Sequence, residues 1–172
     1  SGKTAVFLEG IGGIGKSELA KQYALSRRDH YDTVVFSTYT TSLKSLMADA
    51  TSLVIEGLEP RQDESEEEYF SRKLQILRSI TDERTLLILD NFDVDSDPDL
   101  AEFLAGRCHV IITTRNAHPG YSTLKVEAIR DKAVLLDIFE QNYGMALAEA
   151  ERAYVEEIFE LVEYHTYAVE LI

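Results

Sequence analysis

The densest group of chemically useful residues is a glycine-rich segment near the amino terminus, GIGGIGKS over residues 10–17. It matches G-x-x-x-x-G-K-[ST], a pattern in which backbone N–H groups surround phosphate oxygens. Glycines let the backbone turn tightly and approach the phosphates, and a following helix N-terminus adds partial positive charge. Lys16 then reaches the β and γ phosphates, and the Ser17 hydroxyl coordinates Mg²⁺. The spacing predicts a nucleotide phosphate site rather than a glycine-rich turn without a ligand.

The same segment also contains G-x-G-x-x-G, which raises a dinucleotide-binding alternative. That alternative needs an acidic residue at the end of the second strand, where it holds the ribose hydroxyls. The second predicted strand runs into STYT at residues 37–40, and Asp32 precedes the strand instead of ending it. The adjacent Lys16 and Ser17 have no role in dinucleotide binding, so the phosphate-loop interpretation is favoured.

A second candidate group follows the apolar run LLILD at residues 86–90. Asp90 stands at the carboxyl end of this predicted buried strand, where its carboxylate can hold Mg²⁺ directly or through water. Many hydrolytic proteins with a phosphate loop carry a carboxylate at the next position to polarise water, but Asn91 stands there and cannot accept a proton. Asp93 and Asp95 are nearby substitutes, although as members of an acidic loop we expect them to be solvated.

A cation, Arg115, follows the next predicted strand. A guanidinium at the carboxyl end of a strand beside Asp90 can sense or stabilise a γ phosphate, and a surface salt bridge is the alternative. The single cysteine, Cys108, excludes an intrachain disulfide and a multi-cysteine zinc site, and we expect it to pack in the core. The four histidines show no metal-ligand spacing.

Strands and helices alternate around these residues, which predicts a parallel α/β sheet, since parallel neighbours need crossover connections. Strands are predicted at 4–9, 33–38, 85–90, 109–113 and 124–126, and helices at 16–28, 43–54, 69–77 and 98–104. Ser65 and Glu68 fit a capping box, and Asp97 with Pro98 fits a helix start. Helices at 133–143 and 147–164 follow without a further strand. We therefore expect an α/β core over 1–127 and a helical subdomain over 128–172.

Composition limits the functional classes. The 172 residues are 45% hydrophobic, enough for one domain with a substantial core, and their formal net charge is −14. Such a charge opposes nonspecific binding to nucleic acid or anionic lipid. No apolar run reaches the length of a transmembrane helix, and we expect a cytoplasmic protein. The chain starts almost on its first strand and ends in an apolar helix, so we expect a fragment of a longer protein.

Taken together, these motifs resemble the NB-ARC branch of the STAND class of P-loop ATPases, which are switches in plant resistance proteins, apoptosome scaffolds and bacterial regulators. GIGGIGKSELA is similar to the family's phosphate loop, LLILDNFD to its Walker B strand and VIITTRN to its sensor strand. IRDKAVLLDIF, residues 129–139, resembles the start of the helical domain, and HTYAVEL, residues 165–171, resembles the segment usually written G-L-P-L-A. The resemblance implies a P-loop NTPase fold with a five-stranded, mostly parallel sheet, and a bacterial member is expected.

The resemblance also implies ATP or ADP and Mg²⁺ as cofactors. Ser17 and Asp90 are the expected metal ligands, and the expected catalytic residues are Lys16, Asp90, Asn91 and Arg115. Thr166 stands where the family usually has proline, so His165 can make the ribose or phosphate contact instead. The family's adenine-contacting segment lies upstream of the first strand. The residues expected to contact the nucleotide are Gly10, Gly12, Gly13, Ile14, Gly15, Lys16, Ser17, Glu18, His165 and Thr166.

Two functional hypotheses follow. The first is a slow ATPase switch whose nucleotide state sets the relation between core and helical subdomain, and through it homo-oligomerisation of a parent protein with flanking effector and sensor domains. The second is a non-catalytic scaffold that holds ADP, which Asn91 favours. No guanine-reading N-K-x-D motif follows the fourth strand, and the arginine cluster of a small-molecule kinase lid is absent from the sequence.

Overall fold

The computed structural model of the chain describes residues 4–49 and 51–171. These residues form two compact units. The first comprises residues 4–9 and 17–125 and contains the sheet, and the second comprises residues 10–16 and 126–171. The division therefore falls after Lys125 and groups the glycine-rich segment with the helical unit, whereas the predicted boundary after residue 127 stays a prediction.

The first unit is built on one five-stranded sheet. Its strands are β1 (Ala5–Glu9), β2 (Thr33–Thr38), β3 (Thr85–Asp90), β4 (His109–Thr114) and β5 (Ser122–Lys125). Their spatial order is β2-β3-β4-β1-β5, and all neighbouring pairs are parallel. This confirms the predicted fold class, with a sheet that is wholly rather than mostly parallel.

The register of the sheet positions the candidate residues. Asp90 at the end of β3 pairs with Thr38, and Glu9 at the end of β1 pairs with Thr114. All six residues of β3 are buried, as expected for an apolar strand that is covered on both faces. The carboxyl ends of β1, β3 and β4 therefore lie at one edge of the sheet, which we call the carboxyl edge.

Seven helices are found in the described part of the chain. They are α1 (Lys16–Ser26), α2 (Leu43–Ala48), α3 (Glu66–Ile80), α4 (Leu100–Phe103), α5 (Lys132–Tyr143), α6 (Glu149–Leu161) and α7 (Thr166–Leu171). The predicted capping box at the start of α3 is present, since the Ser65 hydroxyl accepts from the Glu68 N–H and the Glu68 carboxylate accepts from the Ser65 N–H.

The main core lies on one face of the sheet. It joins inward residues of β1, β3 and β4 with α2, α3 and α4, and includes Phe7, Leu43, Met47, Phe70, Leu74, Leu87, Leu89, Phe103 and Ile112. Cys108 belongs to this core, and burial raises the pKa of its thiol. Because side chains alternate along a strand, the opposite face carries Val6, Leu8, Leu86 and Ile111, which line an apolar cavity under α1 of about 370 Å³. The helical unit has a separate core, Leu135, Leu136, Phe139, Val155, Phe159 and Val169.

The second predicted helix, 43–54, is wrong in its extent. The structure ends α2 at Ala48, six residues early. The Asp49 carboxylate accepts from both the N–H and the hydroxyl of Thr51, at 2.6 Å each, and so offers the backbone a turn in competition with the helix. The buried Lys73 ammonium binds the Met47 carbonyl at 2.6 Å, which satisfies an orphan acceptor of the last turn.

Two further helix predictions need correction. In place of the helix expected from Pro98 to Leu104, α4 spans only Leu100–Phe103, and the Asp97 carboxylate accepts from the N–H of Asp99 in the turn before it. The helix expected over 147–164 corresponds to α6, which begins at Glu149 and ends at Leu161, and residues 163 and 164 have φ values of 52° and 60°, outside the helical region. Local side-chain bonds and a left-handed turn outweigh the apolar periodicity in these segments.

Candidate phosphate-binding and magnesium site

The glycine-rich segment 10–16 has a backbone that only glycine can adopt at several positions. A Cβ atom on Gly10 would lie 2.7 Å from the Val126 carbonyl oxygen, closer than real Cβ atoms come, and 3.1 Å from a methyl carbon of Ile14. Gly13 and Gly15 have φ values of 72° and 102°, where other side chains are strained. The loop geometry therefore favours glycine at positions 10, 13 and 15.

Lys16 begins α1 and folds back over this loop. Its side chain is 8% exposed, and the ammonium donates to the carbonyls of Gly10 and Ile11 at 2.8 Å each. These bonds fix the direction of the ammonium, which is the kind of positioned cation that a phosphate requires. Ile14 is buried beneath the loop, while Glu18 is exposed and binds the Gln22 amide one turn along the helix.

Two hydroxyl groups converge on Asp90 in the first unit. Ser17 donates to Asp90 Oδ1 at 2.5 Å, and Thr113 donates to the same oxygen at 2.6 Å. Thr113 is 1% exposed, and its hydroxyl also accepts from the Asn91 N–H at 3.0 Å. The Asp90 carboxylate is thus held by groups from α1 and β4.

This arrangement fits Mg²⁺. Magnesium prefers hard oxygen ligands and is usually bound through one or two protein groups together with waters and substrate phosphates. The Ser17 hydroxyl and the Asp90 carboxylate are such oxygens, and they lie within 2.5 Å of each other. Over 4–49 and 51–171, no group of three or more His, Cys, Asp or Glu side chains could hold a metal by itself. A magnesium ion here would need waters and phosphates as further ligands.

Asn91 directly follows β3 with a φ of 61°. Asparagine is one of the few non-glycine residues that visit the left-handed region routinely, so the backbone itself favours this residue type. The side chain is exposed. An amide at this position can orient a water by hydrogen bonding but cannot take its proton.

Arg115 and Asp93 form an ion pair at the carboxyl edge. Nε of Arg115 lies 2.9 Å from Asp93 Oδ2, and the Arg115 backbone N–H donates to Asp93 Oδ1 at 2.7 Å. Asn116 donates from its side-chain amide to Asp95 at 2.7 Å. The expectation that Asp93 and Asp95 are solvated agrees with the exposure of Asp95, whereas Asp93 is only partly exposed and is held by the loop that follows β4.

The candidate residues of the helical unit also meet the glycine-rich segment. Nε2 of His165 lies 2.6 Å from the Gly12 carbonyl oxygen, so that nitrogen carries the proton and donates. The left-handed turn at residues 163 and 164 brings His165 to this position ahead of α7. Thr166 is 8% exposed, and its hydroxyl has no hydrogen-bond partner among the described residues.

Thr113 contacts the candidate magnesium ligand Asp90, and it was not predicted as a site residue from the sequence. It stands two residues before Arg115 on β4, and β4 lies beside β3 in the sheet. A hydroxyl at the carboxyl end of a neighbouring strand can reach the carboxylate at the end of β3, so strand order with side-chain alternation was the signal that could have found it.

Comparison with known proteins agrees with this geometry. The family model of the NB-ARC domain matches residues 1–150, most of the chain. The chain therefore belongs to the NB-ARC family, whose domains are nucleotide-binding modules of the P-loop NTPase type. A comparison with curated proteins finds no match. The matched range ends before residues 165–171, so their likeness to G-L-P-L-A stays a prediction.

Within the described part of the chain, every helix is too short or too polar to cross a membrane.

Proposed function

We propose that this chain is the ATP/ADP-binding switch module of a larger signalling or regulatory protein, with slow Mg²⁺-dependent ATP hydrolysis. The observation that carries the proposal is the Ser17–Asp90 bond of 2.5 Å, which joins the last residue of the phosphate-loop motif to the carboxylate that ends β3. The Ser17 hydroxyl, which directly follows Lys16 in the sequence, and the Asp90 carboxylate are oxygen ligands of the kind that a magnesium–nucleotide complex needs.

Each residue has a distinct part in binding. The N–H groups of the glycine-rich segment and the Lys16 ammonium attract the β and γ phosphates. Ser17 and Asp90 supply oxygen ligands to Mg²⁺, and Thr113 holds the Asp90 carboxylate in place. Magnesium, when bound, neutralises charge on the phosphate oxygens.

The turnover that we propose is slow, because the position after Asp90 carries an amide. Asn91 can position a water, but no proton acceptor stands at that position. Arg115 supplies the cation for the γ phosphate, although it is paired with Asp93 in the structure. His165 and Thr166 are proposed to contact the ribose or a phosphate, and the Thr166 hydroxyl, which lacks a partner among the described residues, supports such a contact.

A non-catalytic scaffold that holds ADP is the second candidate. Asn91 favours it, as does the engagement of Arg115 by Asp93, because a permanently paired guanidinium could not respond to a γ phosphate. The switch is the better-supported function, since an exposed ion pair is weak enough to exchange partners.

The cellular setting is part of the same proposal. We infer a cytoplasmic protein whose flanking effector and sensor domains, and whose oligomerisation, respond to the nucleotide state. The net charge of −14 makes this domain a poor partner for nucleic acid or for an anionic membrane.

Calorimetry and single-turnover hydrolysis test the proposal together. We expect the chain to bind ADP and Mg²⁺·ATP, and to hydrolyse bound ATP slowly. Binding of both nucleotides without any hydrolysis in the chain or its full-length parent would support the scaffold, and binding of neither would refute both candidates.

A further inference from the structure

Asp93, at the carboxyl edge, binds both the backbone N–H and the guanidinium of Arg115, the proposed γ-phosphate sensor. Asp93 Oδ1 accepts from the Arg115 N–H at 2.7 Å, and Oδ2 lies 2.9 Å from Nε of Arg115. The N–H of Asp93 in turn donates to the Asn91 carbonyl at 2.8 Å, which fixes the carboxylate in a tight turn directly after β3.

The two partners differ in exposure. The Asp93 side chain is 27% exposed and the Arg115 side chain is 60% exposed, so the carboxylate is the anchored partner and the guanidinium the one that can leave. An ion pair this exposed contributes little to stability, because solvent screens both charges. A γ phosphate carries more charge and offers three oxygens to a forked guanidinium, so it can compete with Asp93 for Arg115.

The neighbouring contact provides a contrast on the same two loops. Asp95 accepts from the side-chain amide of Asn116 at 2.7 Å, a contact with no formal charge on the donor. Asp93 and Asp95 thus carry equal charge in one short segment, but of the two only Asp93 forms an ion pair with a cation among the described residues.

We propose that Asp93 sets the discrimination between ATP and ADP by competing with the γ phosphate for Arg115. This rests on the proposed function, in which Arg115 meets the γ phosphate. ADP leaves the Asp93–Arg115 pair in place, whereas ATP must break it, so the pair biases the module toward its ADP state. Asp93 acts through Arg115 and is a positioning residue that determines specificity.

Asp93→Asn is the direct test. An amide oxygen can still accept from the Arg115 N–H, so the turn is retained while the charge is removed. We expect affinity for Mg²⁺·ATP to rise by about 3- to 5-fold, the equivalent of one exposed ion pair, while ADP affinity stays within about twofold. The readout is the ratio of ATP to ADP affinity by calorimetry, which a loss of fold alone would not raise.

Two controls isolate the pair. Asp95→Asn removes the same charge from the same loop, so it reports the general electrostatic effect, and we expect a smaller change in the ratio. In an Arg115→Gln background, Asp93→Asn should change the ratio no more than Asp95→Asn does in the wild type.

Three results would overturn the inference. These are an unchanged or lowered ratio in Asp93→Asn, an equal rise in Asp95→Asn, or a rise that persists in the Arg115→Gln background. In each case nucleotide binding by the wild type and its loss in Lys16→Ala would leave the proposed function standing. If the wild type binds neither nucleotide, the proposed function fails, and the inference fails with it.

Discussion

The two ends of the parallel sheet both carry polar clusters, but the clusters differ in chemistry. At the carboxyl edge, the hydroxyls of Ser17 and Thr113 donate to Asp90, and the Arg115 N–H donates to Asp93. At the opposite end, which we call the amino edge, the Tyr31 hydroxyl lies 2.9 Å from Nδ1 of His109 and 3.3 Å from the Tyr23 hydroxyl. Burial raises the pKa of Tyr31, so its phenol stays neutral.

The polar groups of the carboxyl edge are suited to ligand binding, whereas those of the amino edge serve packing. At the amino edge, three ring side chains satisfy one another beside the cavity under α1, and a neutral hydrogen-bonded group is inexpensive to bury. At the carboxyl edge, Asp90 is 8% exposed yet carries a carboxylate, a group that is costly to bury unless it is hydrogen-bonded. We therefore expect substitutions at the carboxyl edge or in the glycine-rich segment to change nucleotide binding, and substitutions at the amino edge to change stability alone.

Lys16→Ala should have the largest effect. It removes the positioned ammonium of the phosphate loop. We expect ATP and ADP affinity to fall by roughly 100-fold, which corresponds to the loss of at least one hydrogen bond to a charged group. Calorimetry measures this. The matched control is Lys21→Ala, which removes the same charge from the same helix at an exposed site over the Phe36 ring. Similar losses in both variants would mean that net charge, rather than Lys16 itself, governs binding.

Asp90→Asn should weaken magnesium-dependent ATP binding more than it weakens binding of metal-free ADP. The amide keeps the shape of the side chain but has one oxygen and no charge, so Mg²⁺·ATP affinity should fall by roughly 10- to 100-fold, with metal-free ADP affinity changed far less. Titrations of each nucleotide with and without Mg²⁺ distinguish a loss of metal binding from a loss of nucleotide binding. Equal losses for both nucleotides would assign Asp90 a structural role only.

Asn91→Asp tests whether the missing carboxylate limits turnover. Aspartate tolerates the left-handed φ of 61°, whereas glutamate is less suited to it, so aspartate is the better substitution. We expect the single-turnover rate at saturating ATP to rise by roughly tenfold, the low end for general-base catalysis. Asn91→Gly keeps the backbone conformation without a side chain and should not accelerate hydrolysis. If the Asn91→Asp variant binds ATP normally but hydrolyses it no faster, the missing-base explanation fails.

The sequence predicted the parts of the site that depend on short spacing. The phosphate loop and Asp90 are each defined by a few adjacent residues, and their elements follow from unbroken apolar runs such as β3. The Asp93–Arg115 pair joins residues 22 positions apart in sequence. It depends on the left-handed turn at Asn91, which no periodicity announces.

The helix boundaries, too, could not be predicted from apolar periodicity alone. The predicted helix over 43–54 fits the apolar period, but the Asp49–Thr51 turn and the Lys73 contact decide where α2 ends. Thr113 was only partly predictable. Strand order and side-chain alternation imply its position, but no short motif indicates its role. Short-range patterns thus predicted the elements, whereas local turns and side-chain bonds between distant residues determine where the helices end and how the site is arranged.

Thr113→Val sharpens the comparison within the carboxyl edge. Valine keeps the buried volume but loses the hydroxyl that binds both Asp90 and the Asn91 N–H. We expect Mg²⁺·ATP affinity to fall by about fivefold, since the carboxylate loses one positioning bond. Thr113→Ser restores the hydroxyl and should restore affinity. The neighbouring Thr114→Val instead loses the hydroxyl that binds the Phe92 carbonyl and the Asn116 N–H, and an equal fall there would indicate general damage to β4.

Tyr31→Phe should have the smallest effect and tests the amino edge. The ring remains beside the cavity, and only the hydroxyl between His109 and Tyr23 is lost. Leaving a partly buried imidazole nitrogen without this partner should lower the free energy of unfolding by about 1 kcal/mol. Tyr23→Phe loses only the 3.3 Å contact at a side chain that is 40% exposed, so it should lower stability less. Denaturant unfolding measures both losses, and calorimetry on the same variants should give wild-type ATP and ADP affinities. A change in nucleotide affinity at constant stability would break the comparison, because the amino edge would then take part in the chemistry assigned to the other end of the sheet.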